Sequence, residues 1–373
     1  MRDPIVVSSS DLDSAPDCPA VFLLWAGPDT GTAKPYLART ALLRRRLKRL
    51  LSERSEERAT RVLNLRGVVQ RIEYWLTGSQ LESSFIHLEL AQRYFPDDWV
   101  RITRLRPATF LCLTLENAFP RTMVTTRLGR GLYFGPFPGR TAAERFNAEL
   151  LDLFQIRRCE ENLQPSPEHP GCIYGEMNKC IRPCQVAVTM DEYRSEASRI
   201  EQFLRTGGAS LRDQTEQARE RASAAMRFEE AERLHQRVER ITQVQGLAGD
   251  LPRTLERLTG VAVLLSSVPQ CVDLWFLIGG CWQQPLRLSL SEESGAGSSM
   301  DHRLRDLIGT IKPKGEPNLP HLAILMRWYS SSWRDGEWIA VDGNHGDWPS
   351  AIPYRKIVNA IARVSKPAAK IDS

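Results

Sequence analysis

Four cysteines crowd into a 26-residue window, Cys159, Cys172, Cys180 and Cys184, in the pattern C-x12-C-x7-C-x3-C, half of the eight in the chain. The segment around them, FQIRRCEENLQPSPEHPGCIYGEMNKCIRPC, is rich in Pro, Gly, Asn and charge, and a regular core element cannot be built from it. Thiols gathered in polar sequence suit a soft-ligand site, and four thiolates complete either a zinc site or an iron–sulfur cluster. Only the last pair approaches the tight knuckle of a zinc ribbon, and no Cys-Pro run follows, since Pro183 precedes Cys184. Two disulfides or unrelated buried thiols are the alternatives. Against disulfides stand the absence of a signal-like apolar stretch in MRDPIVVSSSDLDSAPD and the scatter of the other cysteines.

The flanks add a second signal. Upstream runs GLYFGPFPGRTAAERFNAELLDLFQIRRC, and downstream, past a helical stretch, MRFEEAERLHQRVERI. In this order the FGPF block (134–137), the four cysteines and the FEEA stretch resemble UvrC, the nuclease subunit of the bacterial excinuclease of nucleotide excision repair. The resemblance spans about residues 16 to 245. It implies a [4Fe–4S] cluster on the four cysteines, with zinc as the alternative. It also implies DNA and a UvrB-type helicase subunit as partners.

Two apolar runs, 19–27 (PAVFLLWAG) and 34–39 (KPYLAR), read as strands joined by the turn PDTGT. They are similar to the start of a GIY-YIG nuclease domain, with Ala20-Val21-Phe22 and Tyr36-Leu37-Ala38 at the two tripeptides. By that resemblance Tyr36 helps activate water, Arg46 stabilises the phosphate, and Arg39 stands where Lys is usual. Aligning QRYFP (92–96) without gaps puts His87 at the position of the glutamate that holds one divalent ion. Glu89 is two positions on, about 200° around a helix, so it faces away. A neutral imidazole is a poor ligand for Mg2+. With Phe22, Ala38 and Leu50 also departing from the pattern, the expectation is a degenerate site that cuts weakly or not at all. An active nuclease would need Mg2+ or Mn2+ held by a displaced carboxylate, Glu89 or Glu82.

The elements that must position these residues follow from periodicity. TALLRRRLKRLL reads as an amphipathic helix with Leu42, Leu43, Leu47 and Leu50 on one face. From 39 to 66 there are ten basic and three acidic residues, so Arg44, Arg45, Lys48 and Arg49 are candidates for phosphate contact, weighed against a merely solvated face. WVRITRLRP and TFLCLTLE read as strands, 129–139 as a glycine- and aromatic-rich loop, and Thr141 with Glu144 as a helix start bracing the cysteines. A helix after Cys184 should stop at Gly207-Gly208, and two more should join near 226–229. Their apolar stripe, Ala222, Ala225, Phe228, Ala231, Leu234, Val238 and Ile241, is narrow on charged helices and calls for a covering partner. The stretch resembles the UVR motif, which implies a partner-binding role for Phe228, Glu229, Ala231, Leu234 and Ile241. The plainer reading docks the hairpin on the chain itself.

Beyond 246 the sequence offers three strand-like runs (GVAVLLSS, CVDLWFLIGG, PLRLSL), a linker SEESGAGSS, and helices in HLAILMRWYSSSW and PYRKIVNAIARV. No Asp-Asp-His triad can be placed: Asp273 stands alone in a strand, Asp301-His302 falls in linker sequence, and His345 with Asp347 reads as a polar loop. The expected fold is α+β: a flexible leader (1–16), a small GIY-YIG-like α/β domain (17–128), a cysteine-rich cluster module (129–190), a helical UVR hairpin (191–246), a small α+β domain (247–365) and a tail (366–373). A formal charge of +5 permits nucleic acid, and no apolar run is long enough for a membrane span, so a cytoplasmic protein is expected. Three functions remain open: a repair protein binding DNA and a UvrB-type partner, an active repair endonuclease, or a metal-stabilised interaction protein without DNA.

Overall fold

The computed structural model describes residues 3–8, 11–27, 34–51, 65, 67–291, 299–313, 315–342 and 348–366. The PDTGT turn, most of the basic stretch past 51, the SEESGAGSS linker, His345, Asp347 and the tail lie outside the described residues. Three small antiparallel sheets carry the chain, with helices segregated onto their faces, which is the α+β class.

The first sheet has the order β1-β4-β2-β3, from β1 (Ile5–Ser8), β2 (Ala20–Trp25), β3 (Tyr36–Thr40) and β4 (Arg71–Leu76). Part of the expected loose leader is thus the edge strand β1, paired along β4 from Ile5↔Tyr74 to Ser8↔Arg71. Strand residues alternate between faces, and β2 is buried on both. On one face Phe22, Leu24, Ile72 and Tyr74 pack under helix α1 (Leu43–Leu51) through Leu43, Leu47 and Leu50. Leu42, expected on that buried face, is 37% exposed because the helix begins one residue later. On the other face Val21, Leu23, Trp25 and Trp75 pack under helix α2 (Gln80–Tyr94) through Ile86 and Leu90.

WVRIT is not a strand. It forms a short helix α3 (Trp99–Thr103), ended by Arg104 in the left-handed region. The second sheet, order β6-β5-β7-β8, is made of β5 (Thr109–Leu113), β6 (Thr122–Thr125), β7 (Leu132–Phe137) and β8 (Arg253–Thr254). The glycine-rich stretch is therefore mostly strand β7, where Phe134 and Phe137 each sit 5.3 Å, ring to ring, from Phe146. Gly135 lets two backbones approach: a Cβ there would lie 2.8 Å from the Phe110 ring. The helix that follows, α4 (Arg140–Leu151), starts behind Gly139 without a side-chain cap, so Thr141 is inside it and Glu144 pairs with Arg140 at 2.6 Å.

After the cysteine segment, which holds the short helix α5 (Ile173–Glu176), come α6 (Met190–Thr206), α7 (Ala209–Ala224) and α8 (Phe228–Ala248). Helix α6 opens with a capping box between Thr189 and Glu192 and ends at Gly207, φ 59°, a conformation glycine adopts without Cβ strain. The chain then returns to the middle sheet as β8, so the α7–α8 hairpin is an excursion from that sheet. Its apolar stripe is divided. Ile241 and Val244 are fully buried at the root, in the core that includes Phe203, and Ala222 is buried between the two helices close to their turn, while Phe228 is 69% and Met226 77% exposed at the tip. Arg240 ties α8 to α4 through Glu149 at 2.9 Å and Asp152 at 3.3 Å. Ile241, expected at a partner interface, is instead core.

The third sheet, β11-β10-β9-β13 with β12 also on β10, comprises β9 (Gly260–Leu265), β10 (Cys271–Ile278), β11 (Cys281–Trp282), β12 (Leu286–Ser289) and β13 (Glu337–Ala340). Helices α9 (Met300–Gly309) and α11 (Tyr354–Val364) cover one face and α10 (Leu319–Tyr329) the other. Asp301 and His302 lie in α9, capped by Ser299, rather than in a linker. Asp273 is not alone: its carboxylate takes both forks of Arg287, at 2.8 and 2.9 Å. Helix α10 is buried from Leu322 to Met326, so it is a core helix more than an amphipathic one. It packs on α2, where Phe85 stacks on Trp275 at 5.0 Å and meets Trp282 and His321 edge-on.

This division of the stripe gives a stability contrast. Ile241→Ala should cost about 2–5 kcal/mol of unfolding free energy through cavity formation, while Phe228→Ala should change it by no more than about 0.5 kcal/mol. Urea unfolding of the two variants checks this; equal losses would mean the tip also packs internally.

Candidate functional site

The cysteine segment hangs from the middle sheet by one buried knot. Arg157, only 2% exposed, donates from Nε to the Phe119 carbonyl at 2.9 Å and from its guanidinium to the Glu161 carbonyl at 2.7 Å. Its backbone N–H donates to the Tyr193 hydroxyl at 3.1 Å, and that hydroxyl donates to the Pro120 carbonyl at 2.7 Å. A buried charge with every side satisfied fixes the chain where the cysteines begin. Farther on, Asn178, Arg182 and Val186 take positive φ, which lets Cys180 and Cys184 turn inward.

Cys180 and Cys184 are buried, Cys159 and Cys172 half-buried, and all four are free thiols. They face one region: burial first, then the charges of the other three, push the Cys180 thiol up to about 11. Burial, followed by the charges of Cys172 and Cys159, also raises Cys184. Backbone N–H groups of Arg182 and Gln185 point at the sulfurs of Cys180 and Cys184, and the Arg157 side chain bonds that of Cys159. Such donors orient and support sulfur ligands. Among the described residues no three His, Cys, Asp or Glu side chains are gathered closely enough to hold a metal ion. The donor set, four thiols turned to one region with N–H donors at three of the sulfurs, fits a thiolate-ligated group in kind.

The expected nuclease residues separate into two pairs on opposite faces of the first sheet. Tyr36 lies on the α1 face, and Arg46 from α1 reaches its hydroxyl at 3.5 Å. Arg39, three residues on, is on the α2 face and donates to Ser84 Oγ at 3.1 Å. His87 stands on that same face, held to about 4 by burial and by the charges of Arg39 and Arg327, so it is neutral near pH 7. Among the described residues no group of carboxylates is gathered there to hold a cation. Glu89 is exposed, and Glu82 is engaged at the N-terminus of α2, accepting from the Gly78 N–H at 2.7 Å. A buried neutral imidazole beside two guanidiniums does not fit a divalent metal.

Among the basic candidates, Arg44 donates to the Ala15 carbonyl at 2.6 Å and Lys48 pairs with Asp13, while Arg45 and Arg49 are exposed. At the hairpin, Phe228 and Glu229 are exposed, and Ala231 and Leu234 are half-buried. Sequence reasoning missed Arg327, which approaches Arg39 and His87 from α10; nothing in its local sequence singles it out. It also missed a cavity of about 560 Å³ between the first and third sheets, lined by Glu82, Phe85, Trp275, Trp282, Asp273 and His321 among others.

Residues 108–203, spanning β5 to β7, α4, the cysteines and most of α6, match the UvrC/Cho excinuclease, middle domain. The chain is 24% identical to "UvrABC system protein C" of Rickettsia prowazekii over 265 residues, 70% of this chain and 41% of that protein. It is also 24% identical to the protein of the same name from Rickettsia conorii over 289 residues, 76% of this chain and 44% of that protein. The chain is thus UvrC-like, and it spans about two fifths of the length of the curated relatives it matches. No solved structure gives a significant match. Among the described residues no helix is long and apolar enough to cross a membrane.

The depressed imidazole sets a pH dependence. His87 moves from 6.5 to about 4 on folding, so between those values the unfolded chain binds a proton that the folded one refuses, and stability must fall as pH drops through that window. His321, buried against Phe85 and also lowered to about 4, acts in the same direction. Unfolding measured from pH 7 to pH 4 should lose part of this slope in His87→Asn. An unchanged slope would mean that His87 is not buried.

Proposed function

We propose that this chain is a UvrC-like protein of nucleotide excision repair that binds DNA and a UvrB-type partner without cutting through its N-terminal domain. The observation that carries the non-cutting reading is the separation of Tyr36 and Arg46 from Arg39 and His87 by the thickness of the sheet. A phosphodiester can be activated only where nucleophile, metal and phosphate ligand converge within a few ångströms. DNA contact is assigned to the exposed cations of α1, Arg45 and Arg49 above all, with Arg44 and Lys48 beside them. The partner surface is the hairpin tip, Phe228 and Glu229 with the half-buried Ala231 and Leu234, because an exposed aromatic on a charged helix is the kind of anchor small interfaces use.

The four cysteines are assigned to a [4Fe–4S] cluster. The support is their mutual facing and the N–H donors at their sulfurs; zinc is the alternative. When bound, such a cluster would cross-link the segment and add folding free energy. The residues that would hold it are Cys159, Cys172, Cys180 and Cys184, with Arg157 and Tyr193 positioning the loop.

Two measurements test these assignments. Anaerobically purified protein is expected to be brown, with iron and sulfide in equal amounts, and Cys180→Ser to lose both the colour and thermal stability. One zinc per chain and no sulfide would reverse the choice of group and keep its ligands. On a lesion-bearing duplex, the protein is expected to bind with affinity falling steeply as salt rises, and to nick no faster than background with Mg2+ or Mn2+, in both the wild type and His87→Glu. Arg46-dependent nicking by the wild type would overturn the non-cutting reading, and failure to bind DNA would leave the interaction-protein reading.

A further inference from the structure

A cavity of about 560 Å³ lies where the first and third sheets meet. The sheets are pinned beside it by backbone: a Cβ on Gly78, in the turn between β4 and α2, would collide with the main chain of Leu265 and Ser266. Helix α2 lines the cavity with Glu82, Phe85 and Glu89, one stripe at i, i+3 and i+7. The third sheet adds Trp275 and Trp282, and α10 adds His321. Two features of these walls call for a ligand. Trp275 is only 7% exposed, yet its indole N–H has no hydrogen-bond partner among the described residues, a deficit that an acceptor entering the cavity would remove. His321 offers a second donor, because its Nδ1 accepts the Trp282 N–H at 3.2 Å and the proton of the neutral ring is left on Nε2.

The charged groups of the lining have the opposite character. Asp3, Glu82, Glu89 and Asp273 stand against one guanidinium, Arg287, which gives two N–H bonds to Asp273 at 2.8 and 2.9 Å. Such a wall repels a phosphate, and a simple ammonium ion would leave the indole and imidazole donors unpaired. A flat heteroaromatic ring with an amino group meets every requirement. It stacks on aromatic walls, accepts at a ring nitrogen or carbonyl oxygen, and donates to a carboxylate. The volume falls within the range of about 300–1,000 Å³ usual for small-molecule sites. We propose that this cavity binds an amino-bearing nucleobase, with Trp275 and His321 donating to its ring acceptors and Glu89 taking its amino group. The base comes either free, as a nucleobase or nucleoside, or from a nucleic-acid strand whose phosphates stay outside. The second source rests on the DNA-binding reading above.

Isothermal titration calorimetry of the full chain with adenosine tests the site, with uridine, adenylate and spermidine as contrasts. Adenosine is expected to bind about fivefold more tightly than uridine, whose ring lacks the amino group, and more tightly than adenylate, whose phosphate meets the carboxylates. Trp275→Phe keeps a ring and removes the donor, and is expected to weaken adenosine binding about fivefold. Glu89→Ala, at an exposed helix position, should fold as the wild type does and bring adenosine and uridine close to equal affinity; circular dichroism checks both variants. A duplex with one unpaired adenosine, set against its fully paired counterpart, distinguishes the sources. A preference for the unpaired base that Trp275→Phe abolishes assigns the site to a base of the strand. Adenosine binding without that preference assigns it to the free base or nucleoside, and this arm stands even if the protein binds no DNA. The proposal is overturned if neither adenosine nor the unpaired base is bound, if adenylate or spermidine binds more tightly than adenosine, or if both variants leave adenosine affinity unchanged.

Discussion

Helix α2 is buried from two sides, and much of the molecule follows from that. Ile86 and Leu90 close the first sheet, while Leu81, Phe85 and Leu88 enter the core of the third sheet and α10. The stack of Phe85 on Trp275, with Trp282 and His321 edge-on to it, gives the contact aromatic geometry as well as area. A helix sandwiched this way keeps Leu81, Phe85, His87, Leu88, Leu90 and Ala91 out of water. Residue 87 is desolvated, and burial together with the charges of Arg39 and Arg327 keeps the imidazole there neutral.

The middle of the chain depends on a different interaction, the buried Arg157 held by two carbonyls and linked by its backbone N–H to Tyr193. It joins α6 to the turn after Phe119 and to the start of the cysteine segment. The FGPF block serves the same unit from beneath: its two phenylalanines pack on Phe146 and build the core under α4. A stretch that looks like a ligand loop for its glycines is packing, and its conspicuous residues are conspicuous because rings and a close backbone approach need each other. The hairpin roots in this core through Ile241 and Val244 and projects its tip away from it.

Much was legible from the residues alone. The first two strands, the α1 helix, the Gly207 stop, the two-helix hairpin and the three strand runs past 260 all follow from period and punctuation, which act locally. Grouping the four cysteines required only their spacing and polar setting. WVRIT was misread because five residues carry too little period to tell a helical turn from a strand, and β1 because a short edge strand is visible only through its partner β4.

Tertiary structure decided the rest. Sequence placed Tyr36, Arg39, Arg46 and His87 in one site, yet the pleat of β3 sends Tyr36 and Arg39 to opposite faces, and only knowing which helix covers which face reveals that two pairs exist. It could not tell a half-docked hairpin from a free one, since the same stripe of apolar residues serves both, and burial alone separates Ile241 from Phe228. Nor could it bring α10 to α2. Elements that lie far apart along the chain come together only through the packing of α10 on α2, an interaction between surfaces that neither local segment encodes by itself.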